Sequence, residues 1–165
     1  GPPLVIPSSP PPSERDRQFD ELTKRAFDSI GLRMETQKER FPEYLKSQKR
    51  CRVQFGMAAW IADYPDGDNF MQLLYGPNIG ESNNACYKSA EFDKRYAKSR
   101  ALHPGPERDR LYHEMTRIME VDGAWLLLDS RVRNSLLQPN VVGFTKHPVL
   151  HAEWAYIDLD PKRAD

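Results

Sequence analysis

Hydrophobic positions recur with a helical period in two long stretches of the chain. In residues 14–30 and again in residues 107–121, apolar side chains fall three or four positions apart and form one face. Ser13 could cap the first stretch and Gly31 could stop it. The same pattern, in shorter form, recurs between these two stretches. Helices are therefore predicted at residues 14–30, 41–48, 68–76, 89–102 and 107–121.

Short apolar or alternating runs predict strands between the first helices. Residues 3–8 are mostly apolar, and residues 32–37 alternate apolar with charged or polar side chains. Residues 51–60 are apolar enough to form a strand that is buried on both faces. Residues 125–128 and 132–137 are also predicted to be extended. The order β-α-β-α-β over the first 60 residues predicts an α/β fold, with a parallel or mixed central sheet and helices on both faces.

The composition fits a single domain over residues 1–165. The 24 basic residues balance the 24 acidic ones, which gives no support to a nucleic-acid partner. No apolar run approaches the length of a membrane span, and residues 1–13 lack the pattern of a signal peptide. The opening Gly1 and Pro2 resemble the remnant that a protease leaves when it removes a purification tag.

Cys51 and Cys86 could form one disulfide. The bridge would close a loop of about 36 residues and, in the chain-entropy model, would stabilise the fold by roughly 4 kcal/mol. A bridge would also indicate an oxidising compartment. The sequence gives equal support to the alternative, which is two buried free thiols.

Three aspartates, Asp63, Asp66 and Asp68, lie within six residues of each other, just after the predicted strand at 51–60. Asp66 or Asp68 could accept backbone N–H groups at the start of the next helix. Asp63 follows the carboxyl end of the predicted strand, where ligands bind in open α/β sheets, and could hold an amine. The alternative is that Asp63 bonds only the backbone of its own turn.

Metal binding and catalysis find less support in the sequence. Gly67 falls between Asp66 and Asp68, and no glutamate closes the loop where calcium coordination would need one. The four histidines are scattered, so neither a metal nor a cofactor is expected. Nucleophile elbows and glycine-rich phosphate loops are absent. Asp63 with Asp66 could do acid–base chemistry, but aspartate-rich loops more often form turns and caps, so no enzyme activity is predicted.

Residues 60–66, W-I-A-D-Y-P-D, followed by Phe70, resemble a signature of bacterial extracellular solute-binding proteins of family 5. This is the dipeptide/oligopeptide class, which serves ABC importers. Further stretches resemble segments of the family in the same order along the chain, so the similarity covers residues 3–160. These stretches are YGPNIGESNNACYKSAEFDKRY, PERDRLYHEMTRIMEVDGAWLLL and QPNVVGFTKHPVLHAEWAYIDLD.

The resemblance implies a lobe of the periplasmic-binding-protein type. Members of the family have two large lobes around a cleft, and this chain is similar to the carboxyl-terminal lobe, without the amino-terminal one. Its implied role is to capture peptides or similar small solutes in the periplasm, or another extracytoplasmic space, and deliver them to an ABC permease in the inner membrane. Two alternatives remain: a standalone interaction or structural domain that kept the fold without transport, and an acid–base enzyme that uses Asp63 and Asp66.

The resemblance also implies roles for individual residues. In peptide-binding members, the aspartate of this segment takes the α-ammonium group of the ligand, and the matching residue here is Asp63. Trp60 and Tyr64 flank it and could line the pocket, or could equally belong to the core. Asp66 and Asp68 would then build the turn and cap the helix. Members of the class also take nickel complexes, sugars and other solutes, so the resemblance alone does not fix the ligand.

Overall fold

Helices and strands alternate at the start of the chain, and helices dominate its middle. The computed structural model describes residues 1–8, 13–130, 132–147, 149 and 152–163. The α-helices are α1 (Glu14–Ser29), α2 (Phe41–Lys49), α3 (Asp68–Met71), α4 (Ala90–Arg100) and α5 (Pro106–Asp122). The strands are β1 (Leu4–Ser8), β2 (Met34–Lys38), β3 (Val141–Val142) and β4 (Asp158–Leu159). Short 3-10 helices are found at Gln72–Leu74, Gly76–Asn78, Glu153–Tyr156 and Pro161–Arg163.

Strands β1 and β2 pair in parallel, and α1 connects them. The hydroxyl of Ser13 accepts a hydrogen bond from the N–H of Asp16, and the N–H of Ser13 donates to the Asp16 carboxylate, which together form a capping box. At the other end, Gly31 has a left-handed backbone with φ of 78°, which glycine adopts without steric strain. The predicted strands at 3–8 and 32–37 and the predicted helix at 14–30 are therefore confirmed.

A disulfide joins Cys51, just after α2, to Cys86, in the turn region before α4. The Cα atoms of the two residues are 5.7 Å apart, within the range that disulfides span. Helix α2 begins with Pro42 in its first turn, where the missing N–H is harmless. The residues that separate the two cysteines include all three aspartates of the cluster, so the bridge brackets the candidate site.

Residues 51–60 do not form the predicted third strand, and this prediction is wrong. No helix or strand is found from residue 52 to residue 67, and Met57, Trp60 and Ile61 are exposed. A strand needs a hydrogen-bonded neighbour, and in the described part of the chain no strand pairs with this run. Cys51 also has a positive φ of 55°, which is incompatible with a strand at that position.

The predicted extended runs at 125–128 and 132–137 likewise join no ladder in the described part of the chain. Trp125 packs against the main core, but the leucines that follow it and Val132 are exposed, and Leu136 is 98% exposed. The described residues form a parallel pair, β1–β2, and an antiparallel pair, β3–β4. The mixture of helices and strands confirms the predicted α/β class.

The main core lies between α4 and α5 and the 3-10 helix at Gln72–Leu74. On α4, Phe92 and Tyr96 lie one turn apart and are buried. On α5, Met115 and Met119 face them, and Leu74 completes the cluster. Burying a side chain of this size stabilises the fold by about 2 kcal/mol. The core is thus built from elements that follow the aspartate cluster in sequence, and Met71 of α3 packs against it.

Candidate functional site

Residues 60–68, called here the aspartate loop, carry all three residues that the sequence proposed for ligand binding. The loop ends at the first residue of α3 and otherwise has no helix or strand. Asp63 is exposed, and Trp60 and Tyr64 are 43% and 40% exposed. The two aromatic side chains therefore do not belong to the core, and all three residues are open to a ligand.

Asn69, the second residue of α3, ties the start of the aspartate loop to the core. Its side chain is fully buried. Its Oδ1 accepts hydrogen bonds from the indole Nε1 of Trp60, at 2.7 Å, and from the backbone N of Asp63, at 3.1 Å. Its Nδ2 donates to Oδ2 of Asp63, at 3.3 Å. One buried amide thus contacts both the carboxylate and the indole of the candidate site.

The contacts of Asp63 bear on the alternative that it only bonds its own turn. Among the described residues, the Asp63 carboxylate accepts a hydrogen bond from the Asn69 side chain and from no backbone N–H of the loop. A neutral amide directs the carboxylate without neutralising its charge. The carboxylate of Asp63 is therefore oriented, charged and exposed.

Asp66 has the opposite environment. Its Oδ1 accepts from the backbone N of Asp68, at 2.8 Å, and from the hydroxyl of Tyr112, at 2.9 Å. Its Oδ2 accepts from Nη1 of Arg108, at 2.5 Å. Burial raises the pKa of Asp66, but these hydrogen bonds and the charge of Arg108 outweigh burial and leave that pKa below its usual value. Asp66 is therefore a structural anion, held against α5.

Asp68 accepts a hydrogen bond from the hydroxyl of Tyr64, at 2.6 Å. This bond, with a smaller effect of burial, raises the pKa of the Tyr64 phenol. Asp68 makes no side-chain capping bond at the start of α3, so the prediction that it caps the helix is wrong. The prediction holds for Asp66, which accepts the N–H of the first helical residue. Asp66 therefore fixes the turn, and Asp68 holds the hydroxyl of Tyr64.

Gly67 lets the ring of Tyr112 approach the aspartate loop. A Cβ on Gly67 would lie 2.9 Å from two carbons of that ring, closer than side chains normally pack. The turn that contains Gly67 is held by the bonds of Tyr112 and Arg108 to Asp66.

The chain matches no protein-family model, but it has clear relatives among characterised proteins. It is 27% identical over 161 residues to heme-binding protein A of Haemophilus influenzae, and 26% identical over 159 residues to di/tripeptide-binding protein 2 of Pseudomonas aeruginosa. It is also 24% identical over 117 residues to the periplasmic oligopeptide-binding protein OppA of Salmonella typhimurium. The chain is homologous to the family 5 solute-binding proteins.

These alignments cover most of this chain but a minor part of the relatives. The first two cover 97% and 95% of the chain, and only 29% and 30% of the two relatives. The chain therefore spans less than a third of the length of the proteins that it matches. These relatives confirm the resemblance that the sequence motifs predicted. Two of them are named periplasmic oligopeptide-binding proteins, which agrees with the extracytoplasmic setting expected for the family.

Solved structures of the family share the fold of this chain. The peptide-bound DppA of Helicobacter pylori matches with a TM-score of 0.74 at 20% identity, over 94% of this chain and 31% of that protein. HbpA2 of Haemophilus parasuis matches with a TM-score of 0.72 at 18% identity, over 95% of this chain and 32% of that protein. At these identities the matches establish the fold, which is that of the periplasmic binding proteins.

The sequence motifs missed the residues that brace the site, which are Asn69, Arg108 and Tyr112. Arg108 and Tyr112 are four positions apart on α5 and so lie on one face, which is the signal that could have paired them. Nothing in the sequence marks Asn69 as buried. In the described residues, no group of three or more His, Cys, Asp or Glu side chains could hold a metal ion. Nor does any helix in this part of the chain have the length and apolarity needed to span a membrane.

Proposed function

We propose that this chain is a ligand-binding lobe of the solute-binding protein of an ABC importer, and that Asp63 binds the α-ammonium group of a peptide. The observation that carries the proposal is the exposed Asp63 carboxylate, oriented by the buried Asn69 and flanked by the exposed Trp60. Charge-assisted hydrogen bonds between an ammonium and a carboxylate are stronger than neutral ones, and they fix the direction in which a peptide lies.

The comparison of Asp63 with Asp66 supports the choice of residue. Arg108 already pairs with Asp66, whose carboxylate also accepts hydrogen bonds from the Tyr112 hydroxyl and the N–H of Asp68. In the described part of the chain no cation pairs with Asp63. An incoming ammonium would therefore gain most by contacting Asp63. The same comparison weakens the acid–base alternative, because Asp66 is committed to Arg108 and is not available to exchange a proton with a substrate.

The chemistry of the aspartate loop favours a peptide over heme, although relatives of both kinds exist. Residues 60–68 supply carboxylates and two aromatic rings, and they contain no histidine, cysteine or methionine that could ligate heme iron. The hydroxyl of Tyr64, the other group of the loop that could ligate iron, donates a hydrogen bond to Asp68. Aromatic side chains beside a carboxylate can pack against a peptide backbone or its first side chain. Peptides are also named as ligands of two of the relatives.

The proposal for the wider role rests on the homologues, which are binding proteins and not enzymes. We infer that the chain works in the periplasm, passes its ligand to an ABC permease in the inner membrane, and does no chemistry on it. The lobe would form one wall of a cleft, and an amino-terminal lobe would form the other. The exposed apolar side chains at positions 126–128, 132, 136 and 137 support a partner of this kind, because exposed apolar surface commonly marks a site of interaction with another protein part.

An NMR titration of the chain tests the proposal by locating the ligand. A pool of di- to penta-peptides with free amino termini is added to the labelled chain, and the same pool is then tested after N-acetylation. We expect amide shifts to cluster in residues 60–69 with the free peptides and to be small with the acetylated ones. Asp129→Asn, which removes an exposed carboxylate outside the aspartate loop, should respond like the wild type. A dispersed spectrum that moves with neither pool would support a standalone domain without transport.

A further inference from the structure

We propose that Asn69 is a positioning residue for ligand recognition: it holds the Asp63 carboxylate and the Trp60 indole in one fixed arrangement. This inference rests on the proposed function, and it adds the residue that sets the geometry of the site. Asn69 itself is fully buried and does not face a ligand. Its role is therefore to act through Asp63 and Trp60.

The hydrogen bonds of Asn69 join one buried side chain to two exposed groups. Its Oδ1 uses both lone-pair directions, one toward the Trp60 indole at 2.7 Å and one toward the backbone N of Asp63 at 3.1 Å. Its Nδ2 points to the Asp63 carboxylate at 3.3 Å. Main chain and side chain of Asp63 are thus fixed by the same amide, which leaves the carboxylate little freedom to rotate.

This anchoring matters because the segment before α3 has no regular secondary structure. Residues 52–67 have neither helix nor strand, so their backbone is not held by regular hydrogen bonds. Asn69 belongs to α3, which packs beside the core through Leu73 and Leu74 in the following turn. A carboxylate that is already oriented loses less freedom when a ligand binds, and affinity rises accordingly.

The chain offers a matched control in Asn83, a second fully buried asparagine. Its Nδ2 donates to the backbone oxygens of Tyr75 and Tyr87, each at 3.0 Å. These bonds hold a turn region and involve no side chain of the aspartate loop. Replacing Asn83 should therefore destabilise the fold without changing how the site distinguishes ligands.

The test compares Asn69→Ala, Asn83→Ala and the wild-type chain by NMR titration with tri-alanine and with N-acetyl-tri-alanine. For the wild type we expect binding of the free peptide to be about fivefold tighter than that of the acetylated one, since an exposed ion pair contributes up to about 1 kcal/mol. Asn69→Ala should reduce this preference to less than about twofold. Asn83→Ala should keep it. Asn69→Leu, which fills the same space without hydrogen bonds, replaces Asn69→Ala if that variant does not fold.

A second readout needs no ligand. The indole N–H resonance of Trp60 should move in both Asn69 variants, while those of Trp125 and Trp154 stay in place, and Asn83→Ala should leave all three unchanged. A preference for the free amine that survives in Asn69→Ala or Asn69→Leu would overturn the inference and leave the proposed function standing. A wild-type chain without the preference would instead overturn the proposed function, and this inference with it.

Discussion

Two regions of this molecule handle their apolar residues in opposite ways. The helical unit, residues 68–123, turns the apolar stripes of α4 and α5 toward each other and buries them. The unpaired segments, residues 52–59, 125–130 and 132–138, contain apolar runs that pair with no strand in the described part of the chain. A helical stripe can find its partner a few residues away, whereas a strand depends on a neighbour that can lie anywhere in the protein. The helical unit therefore buries its own apolar residues, whereas the unpaired segments leave much of their apolar surface exposed.

The aspartate loop connects these two regions and takes its geometry from the helical unit. Asn69 holds Trp60 and Asp63, and the pair of Arg108 and Tyr112 holds Asp66. The outer side of the loop stays exposed. A loop with its inner side fixed to a core and its outer side exposed fits the role proposed above, one wall of a ligand cleft.

The largest expected contrast between the two regions is in core packing. Phe92→Ala removes a fully buried ring from the helical unit and should lower the free energy of unfolding by about 3–5 kcal/mol. Leu136→Ala, in an unpaired segment, removes a side chain that is 98% exposed, and its effect should stay within about 0.5 kcal/mol. Urea unfolding measures both. Comparable losses in the two variants would show that residue 136 is packed and that the contrast is false.

The disulfide ties the first unpaired segment to the helical unit, and its loss should have the next largest effect. Replacing both Cys51 and Cys86 with serine should lower the free energy of unfolding by about 2–4 kcal/mol, because the unfolded chain loses a constraint. Reductant should produce a similar loss in the wild type and none in the double variant. Mass measurement after alkylation without reductant provides the check, and two modified cysteines in the wild type would show that the bridge does not form.

Asp66 links the aspartate loop to α5, so Asp66→Asn should weaken that link by about 1–2 kcal/mol at neutral pH. The pKa of Asp66 is lowered on folding from its ordinary 3.8. Its contribution is therefore complete above that value and is lost as the pH falls through the lower pKa of the folded state. The stability difference between wild type and variant, measured by urea unfolding from pH 7 to pH 2, should shrink in that acid range. Asp129→Asn serves as the exposed control, and a difference independent of pH would contradict the assignment.

The smallest expected effect concerns Tyr64, whose hydroxyl contacts Asp68 on the exposed side of the loop. Tyr64→Phe keeps the ring and removes the hydrogen bond, so the free energy of unfolding should fall by only about 0.5–1 kcal/mol. The ratio of affinities for free and acetylated peptides should not change, because Asn69 still orients Asp63. Loss of that ratio in Tyr64→Phe would show that the two ends of the loop are coupled more tightly than their contacts indicate.

Local signals in the sequence were enough to predict the elements that hold themselves together. These elements are marked by the capping residue Ser13, the stop at Gly31 and the apolar stripe of α5. Each of these signals involves residues only a few positions apart, so each is visible in the sequence. The third strand at 51–60 was not predictable in this way, because whether an apolar run pairs depends on distant chain. The same difference between local and distant signals applies to the candidate site. Asp63 could be proposed from its motif, whereas Asn69 and its buried bonds become visible only in three dimensions.

The proposed recognition of a free amino terminus by the Asp63 carboxylate can be tested by removing the charge of that side chain. The affinities of the wild type and of Asp63→Asn for tri-alanine and N-acetyl-tri-alanine are compared by titration. The side chain changes little in size, so the variant removes the charge and keeps the shape. We expect the wild type to prefer the free peptide by about fivefold and Asp63→Asn to bind both peptides about equally. A preference for the free peptide that persists in Asp63→Asn would show that the ammonium group binds at a site other than Asp63.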